Sequence, residues 1–265
     1  MKLVRHGGRG PAVIVLHGGP GAPGSAGGLA RGLGDGFRVL EPWQRGSADG
    51  GELSVARHVA DLLELAAAEC PGERPALVGS SWGAMLALAA AAEAPDAFAA
   101  LALVGCGTFD VAARARMQDL IAERAAGGLE AAMQALNDLD PDARLSARAA
   151  LLESIYGVDM LPEPGPVAVD ARANAETWAD MLRLQAEGRY PAAFAAIRVP
   201  VIMLHGAEDP HPGGMVRDSL EPHLPQLEYR EWQRCGHYPW REREARDGFF
   251  AVLRAWLQLA RGQNA

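Results

Sequence analysis

Three short segments, far apart in the chain, carry residue types that together could cleave an acyl bond. The first is Gly79-Ser80-Ser81-Trp82-Gly83, a Gly-x-Ser-x-Gly pattern. It follows the apolar run Pro75-Ala76-Leu77-Val78 and precedes Ala84-Met85-Leu86-Ala87-Leu88-Ala89-Ala90, built from strong helix formers. A serine on so tight a strand-to-helix turn has its Oγ pushed clear of the backbone, and the glycines allow the close approach. The start of the helix then sets N–H groups and a positive dipole end where a negative oxygen would form. Alone, the pattern is weak in a chain with 31 glycines. The other two segments strengthen it. A serine nucleophile needs a base, and the base needs an orienting acid. Asp209 lies in His205-Gly206-Ala207-Glu208-Asp209-Pro210, just after an apolar run, with Glu208 as the runner-up acid. His237 lies in Cys235-Gly236-His237-Tyr238-Pro239-Trp240, before the last helical stretch.

Other candidates have plainer readings. His17 and His205 sit at strand ends, where hydrogen bonding to loop backbone explains them. His211, in Asp209-Pro210-His211-Pro212, is close to the acid, but a base so near its own acid in sequence would be unusual. Ser80 is expected to pack beneath the turn, and Cys235 to be a small buried packing residue. Trp178, Tyr156, Met160 and Tyr190 could line a pocket, and core contacts explain them equally well.

The elements that must position these residues follow from apolar patterning. Ala12–Leu16, Phe37–Leu40, Ala76–Val78, Ala99–Val104, Val199–Leu204 and Leu227–Trp232 read as strands. Helical spacing from Ser54 to Ala68, with Ser54 as N-cap, lies between two of them. Alternating strands and helices imply an α/β protein with a parallel sheet covered on both faces. Such sheets put their chemistry at the carboxyl ends of the strands. From Thr108 to Ile197 no strand is expected. Helices are predicted over Val111–Ala126, Leu129–Leu139, Ala143–Tyr156 and Ala175–Ala186, divided by the proline-rich Leu161–Pro166 loop. A short helix around Met215–Leu220 and a final one from Glu244 to Leu259 complete the pattern.

Composition narrows the function. The chain has 265 residues, enough for one α/β domain with an insertion. A net charge of -8 argues against nucleic acid and against an anionic membrane surface. No apolar run reaches membrane-spanning length. The start, Met1 to Gly7, lacks the apolar stretch of a signal peptide, so a cytoplasmic location is expected. Cys70, Cys106 and Cys235 are scattered, which suits a reducing compartment and supports neither disulfides nor a zinc site.

His17-Gly18-Gly19-Pro20-Gly21 together with Gly79–Gly83 resembles the proline iminopeptidase branch of the α/β-hydrolase superfamily. Gln44-Arg45-Gly46-Ser47 resembles a loop of that branch, although Trp43 stands where its usual aspartate would precede Gln-Arg-Gly. The order Ser81, Asp209, His237 is that of the α/β-hydrolase fold. The likeness spans roughly residues 10–106 and 199–260. It implies an α/β-hydrolase fold, a mostly parallel sheet flanked by helices with an inserted helical cap. Residues 1–107 and 198–265 would form the core and 108–197 the cap. It also implies a serine hydrolase. Ser81 would attack, His237 would move the proton, Asp209 would orient His237, and the N–H groups of Gly19 and Trp82 would hold the oxyanion. No metal or organic cofactor is required.

The expected substrate is a small carboxylic ester or lactone. A short peptide with a free amine is the alternative, which would need cap carboxylates such as Glu123, Glu130, Glu153, Glu163, Glu176 or Glu187. A ligand receptor on this fold is a third reading. Gly19-Pro20-Gly21-Ala22-Pro23-Gly24 also fits Gly-x-Gly-x-x-Gly, with Glu41 at the spacing of a ribose ligand, as in a dinucleotide-binding oxidoreductase. Against it, Ser25–Gly34 carries four glycines and is expected to make a poor helix, and Pro23 removes an N–H.

Overall fold

A computed structural model describes residues 1–125, 127–163 and 168–262. Ala126 of the first expected insertion helix, Pro164–Pro166 of the proline-rich loop, Val167 and residues 263–265 lie outside the described residues.

Seven strands form one sheet: β1 (Leu3–His6), β2 (Ala12–Leu16), β3 (Arg38–Pro42), β4 (Ala76–Ser80), β5 (Leu101–Val104), β6 (Val201–Gly206) and β7 (Leu227–Trp232). Their spatial order is β1-β3-β2-β4-β5-β6-β7, and only β1 runs antiparallel, against β3. The rest is parallel, with Leu16 opposite Gly79 and Ser80 opposite Val104. This register brings the carboxyl ends of β2, β4 and β5 together. The central strands are buried throughout and alternate between two cores. Ile14, Leu77 and Met203 face one core, and Val13, Val78 and Ile202 the other.

The first core holds α2 (Val55–Glu69), α3 (Trp82–Glu93) and α8 (Gly213–Leu220); the second holds α1 (Gly27–Leu33) and α9 (Arg246–Gly262). Ser54 caps α2 by accepting the Arg57 N–H at 3.2 Å. Helix α3 is buried on every side from Trp82 to Ala91, because it lies against the middle of the sheet and under α2. Its many alanines let those neighbours approach.

One expectation needs correction, and one element went unassigned. Gly27–Leu33 is helical despite its glycines. Leu29, Ala30 and Leu33 are fully buried in the second core, and tertiary packing outweighs weak intrinsic propensity. A side chain at Gly32 would strike the Phe250 ring of α9, so the small residue is what lets the helices nest. Strand β1 was not foreseen. It is a half-buried edge strand with no alternation strong enough to announce it.

The stretch between β5 and β6 contributes α4 (Val111–Arg124), α5 (Leu129–Gln134), α6 (Pro141–Tyr156) and α7 (Ala171–Ala186), and no strand among the described residues. Helix α5 stops five residues before the expected Leu139. Beyond it, i to i+3 turns at Leu136, Asn137 and Leu139 lead to Asp140, which caps α6. Helix α7 starts at Ala171 rather than Ala175, because Asp170 accepts the Ala173 N–H at 2.8 Å. No helix among the described residues is long and apolar enough to cross a membrane.

Candidate active site

Ser81 follows β4 with φ 53 and ψ -116, a left-handed conformation costly for any residue but glycine. Its N–H donates to the Val104 carbonyl at 2.8 Å, which pins the turn to β5. A Cβ at Gly79 would strike the Gly83 carbonyl, and one at Gly83 would lie 2.8 Å from the His17 carbonyl. Both glycines are therefore required for the turn to fold this tightly against β2. Serine at a helix N-cap ordinarily accepts a backbone N–H, yet the Ser81 side chain makes no such bond. Ser81 is half-buried, whereas Ser80 is buried beneath it, as expected.

Strand β6 delivers the acid. After Gly206 the chain turns, with Ala207 and Glu208 N–H groups donating to the carbonyls of Trp232 and Cys235 at 2.9 Å each. These bonds tie the acid loop to the histidine loop beyond β7. Asp209 is buried and its Oδ2 lies 2.7 Å from His237 Nδ1, while Glu208 points into solvent. A proton on Nδ1 leaves the lone pair of Nε2 available. His237 stands over the end of β5, where a Cβ on Gly105 would come within 3.0 Å of its Nδ1. That places the imidazole beside the strand end to which Ser81 is hydrogen-bonded.

Asp209 serves more than one imidazole. His205 Nε2 lies 3.1 Å from Oδ2, and His211 approaches Oδ1 with its N–H at 2.9 Å and its Nδ1 at 3.1 Å. The His211 ring stacks on His237, with centroids 4.6 Å apart. Burial alone would raise the Asp209 carboxyl, but the three histidines together hold it well below the usual carboxylate range. Burial lowers the His237 imidazole, and Asp209 offsets part of that. Donor atoms of Asp209, His211 and His237 lie within 4.8 Å of one another, the spacing of a metal cluster. The Asp209 oxygens, however, already accept hydrogen bonds from both rings.

The glycine loop is held from two sides. His17 Nδ1 donates to the Gly18 carbonyl at 2.9 Å, and its Nε2 accepts the Gln44 N–H at 3.0 Å. Both bonds demand the neutral Nδ1–H tautomer, and burial lowers the His17 pKa to about 4. The Gln44 side chain donates to the His17 carbonyl at 2.9 Å and accepts the Trp82 indole N–H at 2.7 Å. From the other side, Asn174 of α7 donates to the Pro20 carbonyl at 2.7 Å, and the Asp170 N–H donates to the Gly21 carbonyl at 2.8 Å. A Cβ on Gly18 would sit 3.3 Å from Ser81 Cβ, so the loop folds directly over the serine. Among the described residues, neither the Gly19 nor the Trp82 N–H donates a hydrogen bond.

Two of the four proposed pocket residues are core contacts. Trp178 packs edge-on to Trp82, and Tyr190 stacks on Phe194. Met160 bridges to Glu242. Of the four, Tyr156 packs edge-on to His237, with ring centroids 5.2 Å apart, and to His211, at 5.7 Å. Sequence reasoning named Gln44 only within a resembling loop, without a role, and missed Asn174 and Glu242, whose partners lie far along the chain. It named His211 but missed the second hold that this residue has on Asp209.

A family model described as the alpha/beta hydrolase family matches residues 13–252. The chain belongs to the α/β-hydrolase family. Its fold is shared by a thermophilic esterase from Thermogutta terrifontis, at 19% identity and a TM-score of 0.66, covering 98% of this chain and 93% of that one. Proline iminopeptidase from Mycobacterium smegmatis is similar at 18% identity and a TM-score of 0.65, covering 99% and 96%. Est816, an N-acyl homoserine lactone degrading enzyme, is similar at 20% identity and a TM-score of 0.59, covering 96% and 95%. A search of curated proteins gives no sequence match. The family match sets the glycine loop in a hydrolase rather than a dinucleotide site. Glu41, the residue at the ribose-ligand spacing, is buried and engaged by His6 at 2.7 Å.

Proposed function

We propose that this α/β-hydrolase cleaves a small carboxylic ester or lactone through an acyl-enzyme. The observation that carries the reading is the buried 2.7 Å contact between Asp209 and His237, beside a serine held in a strained turn. Ser81 Oγ attacks the acyl carbon while His237 Nε2 takes its proton. Asp209 holds the imidazole tautomer and stabilises the imidazolium. The unpartnered N–H groups of Gly19 and Trp82 receive the oxyanion. His237 then protonates the leaving alcohol, and water repeats the sequence to release the acid.

The insertion's glutamates support an ester over an N-terminal peptide bond. Glu123, Glu153, Glu163, Glu176 and Glu187 pair with Arg116, Arg241, Arg31, Arg172 and Arg183, respectively. Glu130 is exposed beside Gln134. These six carboxylates are thus occupied or solvent-facing, which leaves them poorly placed to hold a substrate ammonium. Tyr156 and Tyr238 pack their rings edge-on to His237, an apolar setting that suits an uncharged acyl group.

A fluorophosphonate probe tests the mechanism. It is expected to label the wild type and not Ser81→Ala; labelling that survives the substitution overturns the assignment of Ser81. Turnover of p-nitrophenyl esters and lactones, with none of proline or alanine p-nitroanilide, is the expected specificity. Faster anilide hydrolysis would reverse it, and tight ligand binding without turnover would favour a receptor.

A further inference from the structure

Glu242 is 1% exposed and faces no cation among the described residues. Its neighbours Arg241 and Arg243 turn away to Glu153 and Asp159. Instead, the carboxylate collects three backbone donors. Oε1 accepts the N–H groups of Gly236 at 3.0 Å and Val158 at 2.9 Å, and Oε2 accepts that of Asp159 at 2.8 Å. Gly236 directly precedes the base, and Val158 and Asp159 follow α6 in the insertion.

The same two strands of chain touch again on either side. The His237 N–H donates to the Tyr156 carbonyl at 2.7 Å, the Arg243 N–H to Asp159 at 3.0 Å, and the Leu161 N–H to Arg241 at 2.7 Å. Residues 156–161 thus run beside 236–243, with Glu242 at the centre of the seam. Three donors need two acceptor oxygens, which a carboxylate has and an amide lacks. Buried backbone N–H groups are rarely left unpaired, so removing the carboxylate would force this seam to move.

We propose that Glu242 is a positioning residue for His237, fixing the base by tying its loop to the end of α6. The proposal rests on the serine-hydrolase reading. It makes the placement of His237 depend on the insertion being seated: the ring is set by Asp209, its backbone N–H by Tyr156, and the preceding Gly236 by Glu242. Misplacing a reacting group by about 1 Å costs roughly 10²-fold in rate.

The test uses the full chain with Glu242→Ala, Glu242→Gln and, as a control, Arg243→Ala. Arg243→Ala removes an exposed ion pair beside the seam while leaving the Glu242 carboxylate and the backbone bond from residue 243 to Asp159 in place. Ester kinetics and the rate of fluorophosphonate inactivation are measured, with thermal melts to establish folding. Glu242→Ala is expected to lower both kcat and the inactivation rate by about 10²-fold at nearly constant KM. Glu242→Gln, which keeps one acceptor oxygen, is expected to fall between it and the wild type, and Arg243→Ala to match the wild type. A folded Glu242→Ala variant with wild-type kcat overturns the proposal, as does an equal loss in Arg243→Ala. Should Glu242→Ala not fold, Glu242→Gln decides: reduced kcat at constant KM supports the proposal, and wild-type kcat overturns it. An unlabelled wild type would instead sink the serine-hydrolase reading itself.

Discussion

On one side of Ser81, His17, Gln44 and Asn174 hold the glycine loop with neutral groups. On the other, Asp209 and Glu242 hold the histidine loop with buried carboxylates. In the proposed mechanism the neutral flank needs only fixed N–H groups aimed at a developing charge, and a titrating group there would blur that aim. In the same proposed mechanism the charged flank stabilises an imidazolium that appears and vanishes in each cycle, a task that suits a carboxylate. Burial serves both, in opposite senses. It keeps His17 uncharged, with a pKa near 4, and it concentrates the field of Asp209 on the histidines around it.

Removing charge from the second flank should have the largest effect. Asp209→Asn keeps the shape but offers the wrong tautomer partner to His237. Its kcat is expected to fall by about 10³ to 10⁴-fold, read by ester hydrolysis on a folded variant. A loss below about 10-fold would mean that His205 or His211 can orient the base without Asp209.

Adding charge to the first flank should cost stability. His17 and, in α2, His58 both have folded pKa values lowered by burial to about 4, against 6.5 for the free imidazole. The unfolded chain therefore takes up protons first as pH falls. Stability contributed by keeping these rings neutral is complete above about pH 6.5 and lost progressively toward pH 4. The loss amounts to about 3 kcal/mol per histidine. Urea midpoints measured across that window should fall, and His17→Gln should flatten the curve. A midpoint independent of pH would place the charge-sensitive contacts elsewhere.

The smallest effect is expected at Gln44, which joins His17 to Trp82. Gln44→Leu should lower kcat about 10-fold, or about 1.4 kcal/mol, with little change in KM. Binding of an alkyl boronic acid, which mimics the tetrahedral state, should weaken in parallel. Weakened substrate binding with unchanged kcat would show that Gln44 shapes the pocket rather than the oxyanion loop.

Legibility in the sequence followed sequence distance. The turn at Ser81 was readable because its glycines, its strand and its helix are adjacent. Asp209 and His237 were readable because each follows a recognisable strand. Helix α2 announced itself through Ser54 and regular apolar spacing, and it formed as expected. Helix α1 did not, because the packing of Leu29 and Leu33 against α9 decides it, and Phe250 lies far along the chain. Glu242 gave no local signal either, since its Val158 and Asp159 partners are 84 and 83 residues away. His211 was set aside for its closeness to Asp209, yet that closeness is what lets its N–H and its ring reach one oxygen together.

The sequence by itself determined which residues could react and in what order they occur, because nucleophile turns and strand-end loops are local events of backbone geometry. Only the tertiary structure decided what holds them. The neutral clamp on the glycine loop and the carboxylate seam under His237 join segments that meet only when the sheet is complete and the insertion lies on it. Hydrogen bonds act over about 3 Å, and only folding brings residues so distant in sequence within that reach.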